Sequence, residues 1–265
     1  MNRYSLYVPG RSWIYRLDPR TKLAGVGLTF VLILMFNDPR YLAVLLLVVM
    51  GSVVSAGRPA RALLGFGYTL IPVLLATVVM WPLFERSGAV VLSWGWITVT
   101  DKGLLFALAM GLRIIVPIIA TLGLFLTTRR RDLITGLVKI GLPYQAGFGI
   151  TIAFGLVPML VGTAHTIVEA QRARALEINK GSVFARLRKS SSLIVPLMIA
   201  AIGSIQNLAF SMDSRAYGAS GARTYLHAPR ITTLDRILLI SGGLILAAAI
   251  ALRATGHGAI FPGRL

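Results

Sequence analysis

Seven apolar runs constrain this chain more than any other feature of its sequence, because most of them are long enough to cross a lipid bilayer. They lie at 23–36, 41–56, 63–84, 104–127, 146–168, 191–212 and 234–252. A helix needs about 20 apolar residues to cross a hydrocarbon core of about 30 Å. Of the 265 residues, 56% are hydrophobic and only 14% are charged, a composition that few soluble domains have. We therefore predict an all-α, polytopic membrane bundle.

The basic residues between the runs predict the topology, because arginine and lysine accumulate in cytoplasmic loops of membrane proteins. Arginine and lysine are frequent in the N-terminal segment, in "AGRPARA" and in "TTRRRD". By contrast, segment 37–40 is short and nearly neutral, and segment 85–103 has balanced charges and the aromatic stretch "SWGW". The first four runs can therefore alternate across the bilayer with the N-terminus inside.

The charge pattern changes after the fourth run, with basic clusters at 129–139, 172–189 and 215–236. If the runs 146–168 and 191–212 both crossed the bilayer, the middle cluster would lie outside. The simplest arrangement keeps all three clusters in the cytoplasm, so that neither run crosses. We therefore predict five spans and two long coupling helices on the cytoplasmic side. Seven spans remain the alternative.

This arrangement divides the chain into three parts. Residues 1–127 form a membrane domain with four spans, residues 128–233 a cytoplasmic coupling-helix region, and residues 234–265 a final span with a short tail. The tail then places Arg253 and Arg264 outside, against the usual charge bias.

The sequence has few residues suited to catalysis or to holding a metal ion. There is no cysteine, and the three histidines lie far apart with no carboxylate cluster around them. No phosphate-binding G-x-x-x-x-G-K-[ST] motif is present. We expect no catalytic residue, no metal site and no enzyme activity. The net charge of +18 is explained by cytoplasmic loops, and no nucleic-acid-binding motif accompanies it.

Arg113 lies near the middle of an apolar run. A charge at that depth is costly and is by default a candidate functional residue. The interpretation that we favour is structural: Arg113 faces the bundle interior and pairs with helix carbonyls or with an acid from another segment.

Two arginines, Arg174 and Arg215, each follow a long apolar run near the expected C-terminal end of a helix. Their neighbours are small: Ala173, Ala175, Ser214 and Ala216. Small neighbours let the groove of another protein close around a helix end, and arginine offers a rigid, charged fork to carboxylates or carbonyls. A single such arginine would be explained by the helix dipole. Two of them indicate docking to cytoplasmic partners.

With these motifs, the chain resembles the transmembrane T component of energy-coupling factor (ECF) transporters, a family that includes the cobalt and biotin transporter T subunits. The resemblance extends from about Ser5 to the final apolar run. It rests on the opening "SLYVPGRSWIYRLDPRTKL", on "TTRRRDLITGLVKIGLP" and on two short motifs around the arginines, which are Ala-Arg-Gly in the family. Here Ala175 and Ala216 replace the glycines. Alanine disfavours positive φ and suits a continuing helix, so the local shape of both motifs stays open.

The resemblance implies a coupling subunit of an ABC-type importer in the prokaryotic cytoplasmic (inner) membrane. Two ABC-type ATPase subunits would bind ATP and Mg²⁺, and a small membrane S component would bind a vitamin or a transition-metal ion. Arg174 and Arg215 would each dock in a groove of one ATPase, and the chain itself would bind no cofactor. The small-residue faces of 146–168 and 191–212 would contact the S component.

Two alternatives remain. A self-contained secondary transporter or channel would need a substrate site near the bilayer midplane, often built by two inverted repeats. No convincing repeat is present in the sequence. The other alternative is a membrane scaffold with no role in transport.

Overall fold

The computed structural model describes residues 7, 9, 10, 12–57, 71, 72, 74–81, 90–94, 97–174, 183–218 and 231–255. The helices with defined ends are α1 (Trp13–Arg16), α2 (Pro19–Met35), α3 (Pro39–Ser55), α4 (Asp101–Thr127), α5 (Arg130–Ile140), α6 (Tyr144–Ala173), α7 (Val183–Asp213) and α8 (Thr233–Ala254). Residues 71, 72 and 74–81 are also helical. The predicted class, an all-α polytopic membrane protein, is confirmed.

The segment predicted as an outer loop contains a short β-hairpin. Its strands are β1 (Val90–Trp94) and β2 (Ile97–Thr100), which pair antiparallel. Trp94 lies opposite Ile97, and Val90 lies opposite Thr100. The hairpin leads directly into α4, whose first turn is capped by the Thr100 side chain.

Helices α2 and α3 begin with the same local device, an aspartate followed by a proline. The Asp18 side chain accepts a hydrogen bond from the Arg20 N–H, and the Asp38 side chain accepts one from the Arg40 N–H, both at 2.9 Å. The proline after each aspartate has the φ of a first helical residue and no N–H left without a partner. The tight turn predicted between the first two apolar runs is confirmed, because α2 ends at Met35 and α3 begins at Pro39.

The chain folds as two compact units, one of residues 1–141 with 229–265 and the other of residues 142–228. In the first unit, α4 packs against α2 and α3, and α2 also packs against α5 and α8. One core cluster of this unit consists of Ile33, Leu42, Val49, Val53, Ala109, Val116, Ile119 and Ala120. The three-part division along the chain that the sequence suggests stays a prediction, because it depends on which helices cross the bilayer.

Within the described residues, four helical segments are long and apolar enough to cross a membrane: α4, α6, residues 191–213 of α7, and α8. Helix α3 is shorter but also apolar. Helices α6 and α7 belong to the part of the chain that we predict not to cross. Length and composition allow both arrangements, so the non-crossing of α6 and α7 stays a prediction. Of the third apolar run, 63–84, the described residues are helical and the others lie outside the described part.

Candidate functional site

Helices α6 and α7 pack against each other as an antiparallel pair in the second unit. Near the end of α6, the Gln171 side-chain amide donates a hydrogen bond to the Ser192 carbonyl of α7, at 3.3 Å. At the other end of the pair, Tyr217, which follows α7, stacks on Phe148 near the start of α6, with 4.7 Å between ring centroids. The C-terminal end of each helix therefore lies beside the N-terminal part of the other.

Arg174 directly follows Ala173, the last residue of α6. Its backbone N–H donates to the Gln171 carbonyl at 3.1 Å, so Arg174 closes the final turn of the helix. Both Ala173 and Arg174 are exposed. Ala175, the third residue of this motif, lies outside the described residues. At this end, the structure thus places the arginine on the tip of a long helix.

Arg215 lies in the turn that ends α7, two residues after Asp213. The Tyr217 N–H donates to the Met212 carbonyl at 3.0 Å, and the Ala216 N–H donates to the Asp213 carbonyl at 2.9 Å. Ala216 has a φ of 55°. Two nested hydrogen bonds and a left-handed residue make this turn a Schellman motif. Arg215 is the residue immediately before the left-handed position.

The sequence left open whether the helix continues through Ala216 in the second motif, and the structure shows a left-handed turn there. The helix does not continue through Ala216, even though alanine suits a continuing helix. The family's usual glycine would adopt this conformation without steric cost, whereas a Cβ in the left-handed region costs about 1–2 kcal/mol. Gly218, with a φ of 99°, supplies a second left-handed residue close by. The alanine is therefore held in an unfavourable backbone conformation.

Both arginines of the candidate site present their charge to the exterior of the second unit. Ser214, Arg215 and Ala216 are exposed, as is Arg174. Within the described ranges, neither guanidinium forms an ion pair with a carboxylate. The two charges lie at opposite ends of the antiparallel pair, and the helix from Ser192 to Asp213 alone corresponds to roughly 30 Å. They form two separate positively charged points, too far apart for one groove.

Arg113 is half-buried in α4 and holds the C-terminal end of α2. Its Nη2 donates to the carbonyls of Ile33 and Phe36, both at 3.2 Å, and to the side-chain oxygen of Asn37. The last carbonyls of a helix have no partner within that helix and carry partial negative charge. A guanidinium at this position satisfies them, so the contacts of Arg113 are those of a structural cap.

A second arginine binds the same helix end. The Arg253 Nη1, from the end of α8, donates to the Met35 carbonyl at 3.0 Å. The sequence-based topology placed Arg253 on the unfavourable side of the membrane. The structure shows a reason for a cation there, since the end of α2 offers it a carbonyl.

A buried junction joins the starts of α2 and α8 to the end of α4. Asp235, which is fully buried, accepts a hydrogen bond from the Asp18 N–H at 2.9 Å. The Lys22 Nζ donates to the Thr127 carbonyl at 3.2 Å and to the Thr128 hydroxyl at 3.1 Å. Sequence reasoning missed these roles. The sequence signal that could have predicted them is that Asp18, Lys22 and Asp235 are charged residues at the edges of apolar runs.

Three aromatic residues beside the second arginine motif were also missed. Tyr144 and Phe148 are one helical turn apart at the start of α6, and Tyr217 is two residues after Arg215. The spacing of four residues predicts that the first two share a helix face. Nothing in the sequence predicts that Tyr217 joins them. The expected lack of catalytic residues and of a metal site stays a prediction.

Comparison with known proteins gives the family. The family model described as cobalt transport protein, CbiQ, matches residues 10–226. The chain belongs to this family. It is 32% identical over 246 residues to the energy-coupling factor transporter transmembrane protein EcfT of Brevibacillus brevis, covering 88% of this chain and 91% of that protein. The EcfT of Thermosediminibacter oceani is 31% identical over 255 residues, covering 93% of this chain and 96% of that protein.

A third EcfT, from Bacillus selenitireducens, is 31% identical over 261 residues, covering 94% of this chain and 96% of that protein. All three comparisons cover nearly the whole of both chains. The resemblance seen in the motifs is thereby confirmed: the chain is a transmembrane T component of the ECF transporter type. It is a membrane protein and a transporter subunit.

Proposed function

We propose that this T component couples two cytoplasmic ABC-type ATPase subunits to a small membrane S component, and so drives uptake of a vitamin or a transition-metal ion. The ATPases bind ATP and Mg²⁺, and this chain contributes no catalytic residue. The complex lies in the prokaryotic cytoplasmic (inner) membrane, with the N-terminus of this chain inside.

The observation that carries this proposal is the position of Arg174 and Arg215 at opposite ends of one antiparallel helix pair. Two ATPase subunits offer two grooves, and each exposed guanidinium suits a carboxylate or a set of carbonyls in one of them. When ATP draws the two ATPases together, the helix ends move with them. The pair of helices then carries that motion to the S component.

The antiparallel packing also links docking to topology. If α6 and α7 each crossed the bilayer, Arg174 and Arg215 would lie on opposite sides of it. Both arginines can meet cytoplasmic ATPases only if the pair lies on the cytoplasmic side. The basic clusters around both helix ends favour the same arrangement. This supports five spans over seven.

The exposed apolar surface of the helix pair supports contact with an apolar partner. Large side chains that are exposed along α6 and α7 include Ile150, Phe154, Val157, Ile194, Ile199 and Ile202. A Cβ added at Gly149, Gly155 or Gly162 would meet nothing within 4 Å. Glycines beside open space let a helix of another protein approach closely. We assign the exposed apolar surface of this helix pair to the S component.

Charge reversal of each arginine tests the proposal. Arg174→Glu and Arg215→Glu are each expected to weaken binding of the ATPases by at least about tenfold, because a carboxylate would face the groove that binds the guanidinium. Co-purification from cells that express all subunits measures binding, and uptake per ATP hydrolysed measures coupling. Arg172→Glu is the matched control, since Arg172 is exposed on the last turn of α6 but outside the motif. Normal assembly and transport by both reversal variants would refute docking.

A further inference from the structure

The aromatic residues beside Arg215 form a continuous cluster. The rings of Tyr144 and Phe148 stack at 5.9 Å, and those of Phe148 and Tyr217 at 4.7 Å, between centroids. The Tyr217 hydroxyl lies 3.4 Å from the Tyr144 hydroxyl, to which it donates. Each of the three side chains thus contacts the other two. We call these three residues the aromatic clamp.

The clamp acts on the residue that closes the turn around Arg215. The Tyr217 backbone N–H makes the outer hydrogen bond of the Schellman motif, to Met212. Ala216, the residue before Tyr217, is held at a φ of 55°, a conformation that alanine does not favour. The hydrogen bonds of the turn hold Ala216 in this conformation. The Tyr217 ring, stacked on Phe148 of α6, adds a side-chain contact that supports the turn.

We infer that the aromatic clamp positions Arg215 for docking, an inference that rests on the proposed function. The backbone of Arg215 is held on one side by the end of α7 and on the other by Tyr217. An arginine on an ordered backbone loses less conformational freedom when it binds. Tyr144, Phe148 and Tyr217 are accordingly positioning residues, and they tie the start of α6 to the movement of Arg215.

The aromatic clamp lies at the Arg215 end of the helix pair. At the Arg174 end, the Gln171 side chain donates a hydrogen bond to the Ser192 carbonyl. Loss of the aromatic clamp should weaken docking at Arg215 and leave docking at Arg174 unchanged. A general loss of folding would weaken both, so the difference between the two ends separates positioning from stability.

The first measurement follows the order of the turn in the full chain without partners. Because the chain has no cysteine, one cysteine at Ser214 can carry a spin label beside Arg215. Tyr217→Ala is expected to increase the mobility of that label, as seen in its electron paramagnetic resonance spectrum. Tyr217→Phe keeps the stacked ring and loses only the hydroxyl contact, so it should restore most of the order. Unchanged mobility in Tyr217→Ala would overturn the inference.

The second measurement isolates docking at Arg215 by using the Arg174→Glu background. The probe is the pair of nucleotide-binding subunits from the same host, titrated against the purified chain. Tyr217→Ala is expected to weaken binding about tenfold, whereas Tyr217→Phe should restore binding to within about twofold. Phe148→Ala leaves the turn residues intact and should cause a similar loss. The double variant should lose little more than either single one, because both remove the same contact.

The outcomes separate the two proposals. If Arg215→Glu weakens binding and neither Tyr217→Ala nor Phe148→Ala does, the positioning role is wrong and docking stands. If Arg215→Glu also binds normally, the proposed function fails at this end. If Tyr217→Ala weakens binding equally in the Arg215→Glu background, where Arg174 is intact, its effect is general and the inference is overturned.

Discussion

Ala216 and Arg113 show which properties of a single residue can be predicted from the sequence and which need the folded structure. The sequence shows that Arg113 is a charge within an apolar run, and it shows an alanine at 216, where the resemblance to the family implies a glycine. The carbonyls that Arg113 binds belong to residues 77 and 80 positions away along the chain, so only the folded structure identifies them. The φ of Ala216 is likewise set by hydrogen bonds of the turn and not by the preference of alanine.

The strain at Ala216 leads to a prediction for the isolated chain. Ala216→Gly is expected to raise stability by about 1 kcal/mol, because glycine adopts a positive φ without a clash between Cβ and the carbonyl oxygen. Ala201→Gly, in the interior of α7, should lower stability by about 1 kcal/mol, since glycine is a poor helix former. Unfolding midpoints in detergent measure both. A loss of stability in Ala216→Gly would mean that the turn is not left-handed in solution.

At the scale of elements, the apolar runs predict where helices lie but underestimate their length. The run 146–168 lies within α6, which ends at Ala173, and the run 191–212 lies within α7, which begins at Val183. Helical hydrogen bonding continues into polar residues, whereas a hydropathy pattern ends where polarity begins. The basic residues Arg186, Arg188 and Lys189 of α7 and Arg172 near the end of α6 belong to these extensions.

The β-hairpin was missed because its signal is short. "VVLSW" and "ITVT" contain many β-branched residues around "GW", which favours strands, but each stretch is too brief to stand out within a segment between two membrane runs. The segment does lie between two apolar runs, as predicted. The backbone pairing of its two strands, from Val90 to Thr100, was not predicted.

The packing of α4 on α3 leads to a prediction at this scale. A Cβ added at Gly123 would lie 2.8 Å from the Val53 Cγ2, and a β-branched valine has little freedom to move away. Gly123→Ala is therefore expected to lower stability by about 1–3 kcal/mol. At Gly27, an exposed position of α2, a Cβ meets nothing within 4 Å, so Gly27→Ala should raise stability by about 1 kcal/mol. Equal effects of both variants on the unfolding midpoint would contradict the close contact between α3 and α4.

At the scale of the whole molecule, hydropathy alone does not distinguish helices that cross the membrane from helices that lie beside it, whereas the distribution of charge leads to a prediction. Helix α6 and residues 191–213 of α7 are long and apolar enough for a membrane span. The basic clusters around their ends nevertheless favour a cytoplasmic position, and the antiparallel packing requires that position if both arginines are to meet ATPases. Family membership was also predictable, because the motifs extend over nearly the whole chain. The substrate was not, since in the proposed complex another chain binds it.

The most direct test of the account is which side of the membrane each arginine motif faces. Single cysteines at Arg172 and Ser214, both exposed, are introduced into the cysteine-free chain expressed without partner subunits. A membrane-impermeant maleimide is then applied to inside-out and to right-side-out vesicles. Arg40→Cys, in the predicted outer turn, serves as the control for labelling from the outside. We predict that residues 172 and 214 are both labelled only in inside-out vesicles. Labelling of residue 172 in right-side-out vesicles, with residue 214 labelled from the other side, would contradict docking of both arginines to cytoplasmic ATPases.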